Sequence, residues 1–120
     1  MIGIDTTSIQ RIKKAIEKKP FRDGVFTESE QKYCDGRPRP EESYAGIFCA
    51  KEAAVKAAKC GFGVVKPIDI EVSHDEHGAP LLSFKSGTKA AEVFGKYDCD
   101  LSISHDGDYA VAVVMLNARI

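Results

Sequence analysis

No Cys-x-x-Cys spacing occurs in this chain: Cys34, Cys49, Cys60 and Cys99 are scattered, which excludes the usual zinc ribbon and dithiol redox patterns. Two of them stand in alanine-rich helical sequence, where cysteine acts as a small hydrophobe, so reduced thiols are expected. No apolar run approaches bilayer-spanning length, and no basic segment followed by a long apolar one opens the chain. The expectation is a cytoplasmic protein with no membrane partner. Internal repeats, linkers and low-complexity stretches are also missing. Net charge is nearly absent, at -1, so the whole domain lacks the strong basicity of a nucleic-acid binder.

What is present is the composition of an ordinary globule, 43% hydrophobic and 29% charged over 120 residues. One domain, residues 1–120, is expected. A chain of this size buries roughly two-thirds of its surface, enough to fold alone but little for a deep pocket, which favours a cleft between subunits.

Charge is unevenly placed. Between Ser8 and Arg22 stand Arg11, Lys13, Lys14, Lys18, Lys19 and Arg22 against Glu17 alone, which points to an acidic partner. Aromatic residues do not interleave with these cations, so an acidic protein helix fits as well as nucleic acid.

The pattern predicts an α+β order of one strand, three helices, two strands, a helix and two strands. Ile2–Ile4 is a short strand. Ser8 caps a helix carrying Ile9, Ile12 and Ile16 at helical spacing, which Pro20 ends. Thr27 and Glu30 have capping-box spacing, giving a second helix from Glu28 to Cys34. A long helix is expected from Glu41 to Lys59, stopped by Gly61. Ile68–Val72 and Pro80–Phe84 flank the turn residues His77-Gly78 as a hairpin, and His74 and His77 are expected to face solvent. Thr88–Phe94 suits a helix. Leu101–Ser104 and Tyr109–Leu116 flank Asp106-Gly107 as a second hairpin.

Four polar residues stand at the end or heart of apolar elements. Glu52 and Lys56 lie four apart among Ala45, Phe48, Cys49, Ala53, Val55 and Ala57. That spacing commonly means only a helix-supporting ion pair, worth about 0.2–0.5 kcal/mol. In so apolar a segment, however, a charge is costly unless paired or metal-bound. Asp5 follows the first strand and reads either as a turn residue or as a ligand. His105 ends the run Leu101–Ser104 and reads either as a hairpin-end residue or as part of a site.

Taken in order, these residues resemble the bacterial holo-acyl-carrier-protein synthase family of 4'-phosphopantetheinyl transferases, nearly end to end. The likeness lies in Gly3-Ile4-Asp5 with Ile9-Gln10-Arg11-Ile12, in Phe26-Thr27-Glu28-Ser29-Glu30, and in Ala45-Gly46. It continues through Phe48-Cys49-Ala50-Lys51-Glu52-Ala53 with Lys56, His77-Gly78-Ala79-Pro80, Ser102-Ile103-Ser104-His105 and Tyr109-Ala110-Val111-Ala112. The Phe-x-Ala-Lys-Glu-Ala element with a lysine four residues on is the specific motif.

The resemblance implies transfer of the phosphopantetheine arm of coenzyme A to a serine of apo-acyl carrier protein in fatty acid biosynthesis. It implies Mg²⁺ held by Asp5 and Glu52, with Asp5, Glu52 and Lys56 catalytic. Phe48, Lys56, Gly78, Pro80 and His105 would bind coenzyme A, and Arg11, Lys14 and Arg22 would dock the carrier protein. It also implies a homotrimer with sites shared across interfaces. Three positions depart from the pattern: Ile47 and Ala79 stand where the family commonly has basic residues, and Asp106 where it has a small hydroxylic one. If Ile47 faces the nucleotide, an arginine there is expected to tighten coenzyme A binding, with Lys51 and Lys59 the nearest replacement cations. The alternative is a catalytically weak or inactive scaffold that binds a carrier protein through the basic first helix.

Overall fold

Residues 1–119 are described by a computed structural model. The chain runs β1 (Ile2–Ser8), α1 (Ile9–Ala15), α2 (Lys19–Val25), α3 (Glu28–Asp35) and α4 (Pro40–Ala57), then β2 (Ile70–His74), β3 (Pro80–Phe84), α5 (Lys89–Phe94), β4 (Tyr97–Asp106) and β5 (Tyr109–Ala118). The α+β class and the element order follow the sequence reading, with α2 as an added fourth helix before the first hairpin. Pro20 does not end a helix there. It occupies the first turn of α2, where its fixed φ suits the helix and its missing N–H costs nothing.

Local chemistry sets most boundaries. The Ser8 hydroxyl accepts from Arg11 N, and Thr27 and Glu30 form a reciprocal capping box. The long helix stops before Gly61: Lys59 takes the left-handed conformation at φ 57°, and Cys60 N–H donates to Val55 O at 2.9 Å. That is a Schellman closure with lysine in the place glycine usually holds. Pro67 diverts the start of the first hairpin into a single 3₁₀ turn, so β2 begins two residues later than the alternation suggests. The β4–β5 turn is Gly107-Asp108, with Gly107 at φ 60°.

The strands form two antiparallel sheets, β1-β5-β4 and β2-β3. α4 lies across the inner face of the larger sheet, and two glycines allow the close approach. A Cβ on Gly3 would collide with the Ala53 carbonyl and lie 2.5 Å from Ala57 N. A Cβ on Gly46 would sit 2.9 Å from His105 Nε2. The motif alanines of α4 therefore form a contact surface on which β1 and the end of β4 rest. Ile47 is 2% exposed, inside the hydrophobic core.

One polar knot is buried in that core. Lys51 and Glu30 are both fully buried and paired at 2.7 Å. Lys51 Nζ also donates to Val25 O at 2.5 Å, and Glu30 accepts from Thr27 N at 2.8 Å and Val72 N at 2.7 Å. Burial lowers the affinity of Lys51 for its proton, and the Glu30 carboxylate opposes that shift. Lys51 is thus a tie between α2, α3, α4 and β2 and not a cation available to a phosphate, contrary to the sequence expectation.

Candidate active site

β1 passes along α4 with Asp5 facing the helix, and its side chain is 15% exposed. Lys56 Nζ, in the last turn of α4, donates to Asp5 Oδ1 at 3.0 Å and to Ile4 O at 3.2 Å. Thr7 Oγ1 donates to Asp5 Oδ2 at 2.9 Å, and the buried Cys49 thiol donates to Asp5 O at 3.0 Å. Thr7 and Lys56 therefore fix the Asp5 carboxylate, and Cys49 its backbone carbonyl, before any ligand arrives. The lysine anticipated as an i,i+4 partner of Glu52 forms its ion pair with Asp5 instead.

Glu52 is half-buried beside this pair. Burial raises its pKa, the Asp5 carboxylate raises it further, and the Lys56 and Arg11 charges act in the opposite sense. Two carboxylates crowded in this way cost energy that a cation would relieve. The hydrogen bond and charge of Asp5 raise the pKa of Lys56, so its ammonium stays protonated. Cys49 is pushed up to about 11, chiefly by burial, and remains a thiol. Arg11, through its effect on Glu52, places the first helix next to the same site.

A second feature lies toward the N-terminal half of α4. A cavity of about 180 Å³ brings Gly78, Pro80 and His105 together with Arg37, Ser43 and His74. His105 Nε2 lies 2.8 Å from the Glu42 carbonyl. Because a carbonyl only accepts, Nε2 is the donor in this bond. Phe48 stands outside this cavity, in an aromatic cluster with Phe21 at 6.0 Å and Phe62 at 6.3 Å. Arg11 and Lys14 line a shallow depression on α1, while Arg22 lies on α2, half-buried, with its Nε unpartnered.

His74 does not face solvent as its turn-flanking position suggested. It stacks on Tyr33 with ring centroids 3.9 Å apart and planes 7° from parallel. Thr7, Cys49, Tyr33 and Arg37 also belong to these two neighbourhoods without having been singled out from sequence. Only the every-other-residue periodicity of β1, which puts Thr7 on the Asp5 side, could have flagged one of them.

A family model described as the 4'-phosphopantetheinyl transferase superfamily matches residues 1–114. The chain belongs to that superfamily. A transferase of Clostridium tetani, "Holo-[acyl-carrier-protein] synthase", is 47% identical over 120 residues, 98% of this chain and 95% of its own length. The Helicobacter pylori holo-[acyl-carrier-protein] synthase in complex with coenzyme A superposes with TM-score 0.85 at 34% identity, over 98% of this chain and 100% of that one. The Bacillus anthracis synthase, solved in complex with CoA (3',5'-ADP), gives 0.83 at 36% identity, over 98% and 96%. Against such phosphopantetheinyl transferases, the α4 motif and the His105 strand end fall within the matched span.

Proposed function

We propose that this chain acts as a holo-acyl-carrier-protein synthase, transferring the 4'-phosphopantetheine group of coenzyme A to a serine hydroxyl of apo-acyl carrier protein. The observation that carries this reading is the convergence of Asp5, Glu52 and Lys56 where β1 crosses α4. The co-product is adenosine 3',5'-bisphosphate, and the place of the reaction is fatty acid biosynthesis in the cytoplasm. Among the described residues no helix is long and apolar enough to cross a membrane. The whole chain, residues 1–120, serves as one transferase domain.

Two carboxylates form a hard oxygen donor set, and the nearby Cys49 thiol is turned to a backbone oxygen. Such a set fits Mg²⁺, which takes one or two protein carboxylates and completes its shell with water and phosphate oxygens. Held by Asp5 and Glu52, the ion would neutralise charge on the coenzyme A pyrophosphate. Glu52, with its proton affinity raised, is suited to take the proton from the serine hydroxyl as the oxygen attacks the phosphorus bearing the pantetheine arm. The bond from that phosphorus to the bridging oxygen breaks, and its electrons leave with adenosine 3',5'-bisphosphate. Lys56, held protonated by Asp5, stabilises the charge that develops there. Gly78, Pro80 and His105 line the pocket for the nucleotide.

Arg11 and Lys14 on α1, and Arg22 on α2, offer positive charge to an acidic carrier helix, and Phe48, in its aromatic cluster with Phe21 and Phe62, would contact coenzyme A. The outer face of the larger sheet carries Ile2, Ile4 and Met115, exposed at 66%, 59% and 45%. Such a face supports assembly as a homotrimer with shared sites. A scaffold without turnover would have no need of a preset carboxylate pair with a protonated lysine. The test is incubation with coenzyme A, Mg²⁺ and apo-acyl carrier protein. Mass spectrometry should find phosphopantetheine on the carrier serine, and an unmodified carrier would overturn the reading.

A further inference from the structure

The first strand turns its apolar residues out and its polar ones in. Ile2 and Ile4 of β1 are exposed, whereas Gly3 and Thr7 are buried and the Asp5 side chain is mostly covered. A strand laid on a core usually does the reverse. Gly3 is accounted for by the close approach of α4, and Asp5 by the site. Thr7 has no such account.

Besides tyrosine and cysteine, three polar side chains are fully buried among the described residues: Thr7, Glu30 and Lys51. Lys51 and Glu30 satisfy one another in the core. Thr7 Oγ1 donates to Asp5 Oδ2 at 2.9 Å, and a hydroxyl has one proton to give. Across the ladder Thr7 faces Ala110 and Asp5 faces Ala112, whose methyl side chains offer nothing polar. Valine has the same shape and would fill this space without a polar group to satisfy, so packing gives no reason for the hydroxyl. What the hydroxyl does is orient Asp5.

Lys56 holds the other oxygen, Oδ1, at 3.0 Å, but the two holders differ. Thr7 is β-branched, stiff at χ1 and enclosed. Lys56 has a flexible four-carbon stem and a side chain 53% exposed, so its ion pair opens at little cost. In the transferase reading, on which this inference rests, the Lys56 ammonium serves the departing bisphosphate. Movement toward that phosphate loosens its hold on Oδ1. We propose that Thr7 is a positioning residue of this site, whose hydroxyl keeps the Asp5 carboxylate in place while Lys56 turns to the leaving group. Hydrogen bonds of this kind, one shell out from a ligand, set the affinity of a carboxylate site for its cation.

The experiment titrates Mn²⁺, a paramagnetic substitute for Mg²⁺, into the full-length protein with coenzyme A present, the free ion being read by electron paramagnetic resonance. Thr7→Val should weaken Mn²⁺ binding about ten- to a hundredfold, and should lower kcat while leaving the KM for carrier protein unchanged. Thr7→Ser restores the hydroxyl but leaves a methyl-sized gap, so it should keep most of the wild-type affinity and melt below Thr7→Val. A merely structural role makes cation affinity follow melting temperature across the wild type and both variants, whereas a positioning role makes the two orders cross. Affinities that rank with the melting temperatures, or a Thr7→Val affinity within about twofold of the wild type, overturn the role of Thr7. Transfer to carrier protein by the wild type is scored in parallel by mass spectrometry. Its failure overturns the transferase reading, whereas transfer by a wild type that Thr7→Val matches in Mn²⁺ affinity overturns only the part given to Thr7.

Discussion

At the residue scale, the candidate site depends on a few side chains that neighbours have already oriented. Asp5 has Thr7, Lys56 and the Cys49 thiol around it, so Asp5→Ala removes a ligand and leaves Lys56 without its partner. Asp5→Ala and Glu52→Ala are each expected to abolish phosphopantetheine transfer with little change in melting temperature, because neither side chain holds core elements together. Glu52→Gln keeps the shape and loses the base, and single-turnover kinetics should show a fall of roughly 10²- to 10⁴-fold. Near-normal rates for either alanine variant in saturating Mg²⁺ would remove that residue from the site. Ile47→Arg carries the opposite expectation to the one its sequence position suggested. At 2% exposure the new guanidinium enters the core, so calorimetry should record no gain in coenzyme A affinity and a lowered melting temperature.

At the element scale, α4 supplies the specific motif, and its two charged motif residues face opposite ways. Glu52 turns to β1, while Lys51 turns inward to Glu30 and fixes the helix against α2, α3 and β2. Lys51→Met leaves Glu30 buried without its counter-charge and should cost about 3–5 kcal/mol in denaturant unfolding. The double variant Lys51→Met, Glu30→Gln should recover part of that loss, since it removes the unpaired buried charge, although the single amide oxygen can accept from only one of Thr27 N and Val72 N, which bond different oxygens of Glu30. α1 makes a separate prediction. Reversing charge at Arg11 and Lys14 should raise the KM for carrier protein and hardly move that for coenzyme A, with added salt acting in the same direction. Equal effects on both substrates would take α1 out of docking.

At the scale of the whole molecule, the exposed Ile2, Ile4 and Met115 on one sheet face are more apolar surface than a lone monomer needs. Sedimentation should give a trimer, and Ile4→Glu should dissociate it and lower transfer together. A fully active wild-type monomer would refute shared sites. The pockets within one subunit are small, which agrees with a ligand gripped from more than one chain.

The α+β class, the element order and the family were legible in the sequence because they rest on short-range pattern: the Thr27/Glu30 box, the period-two hairpins and the Phe-x-Ala-Lys-Glu-Ala run. α2 was missed because Pro20 serves a helix start as well as a helix end, and the choice depends on what Val25 and Phe26 pack against. That Asp5, Glu52 and Lys56 belong together was anticipated by resemblance, but which carboxylate holds the lysine was not. The i,i+4 rule favours Glu52, whereas the glycine contact at Gly3 brings β1 close enough for Asp5 to take it. The destination of Lys51 and the stacking of His74 on Tyr33 were decided by tertiary structure alone. Each depends on residues twenty or more positions apart whose separation in space no local pattern encodes.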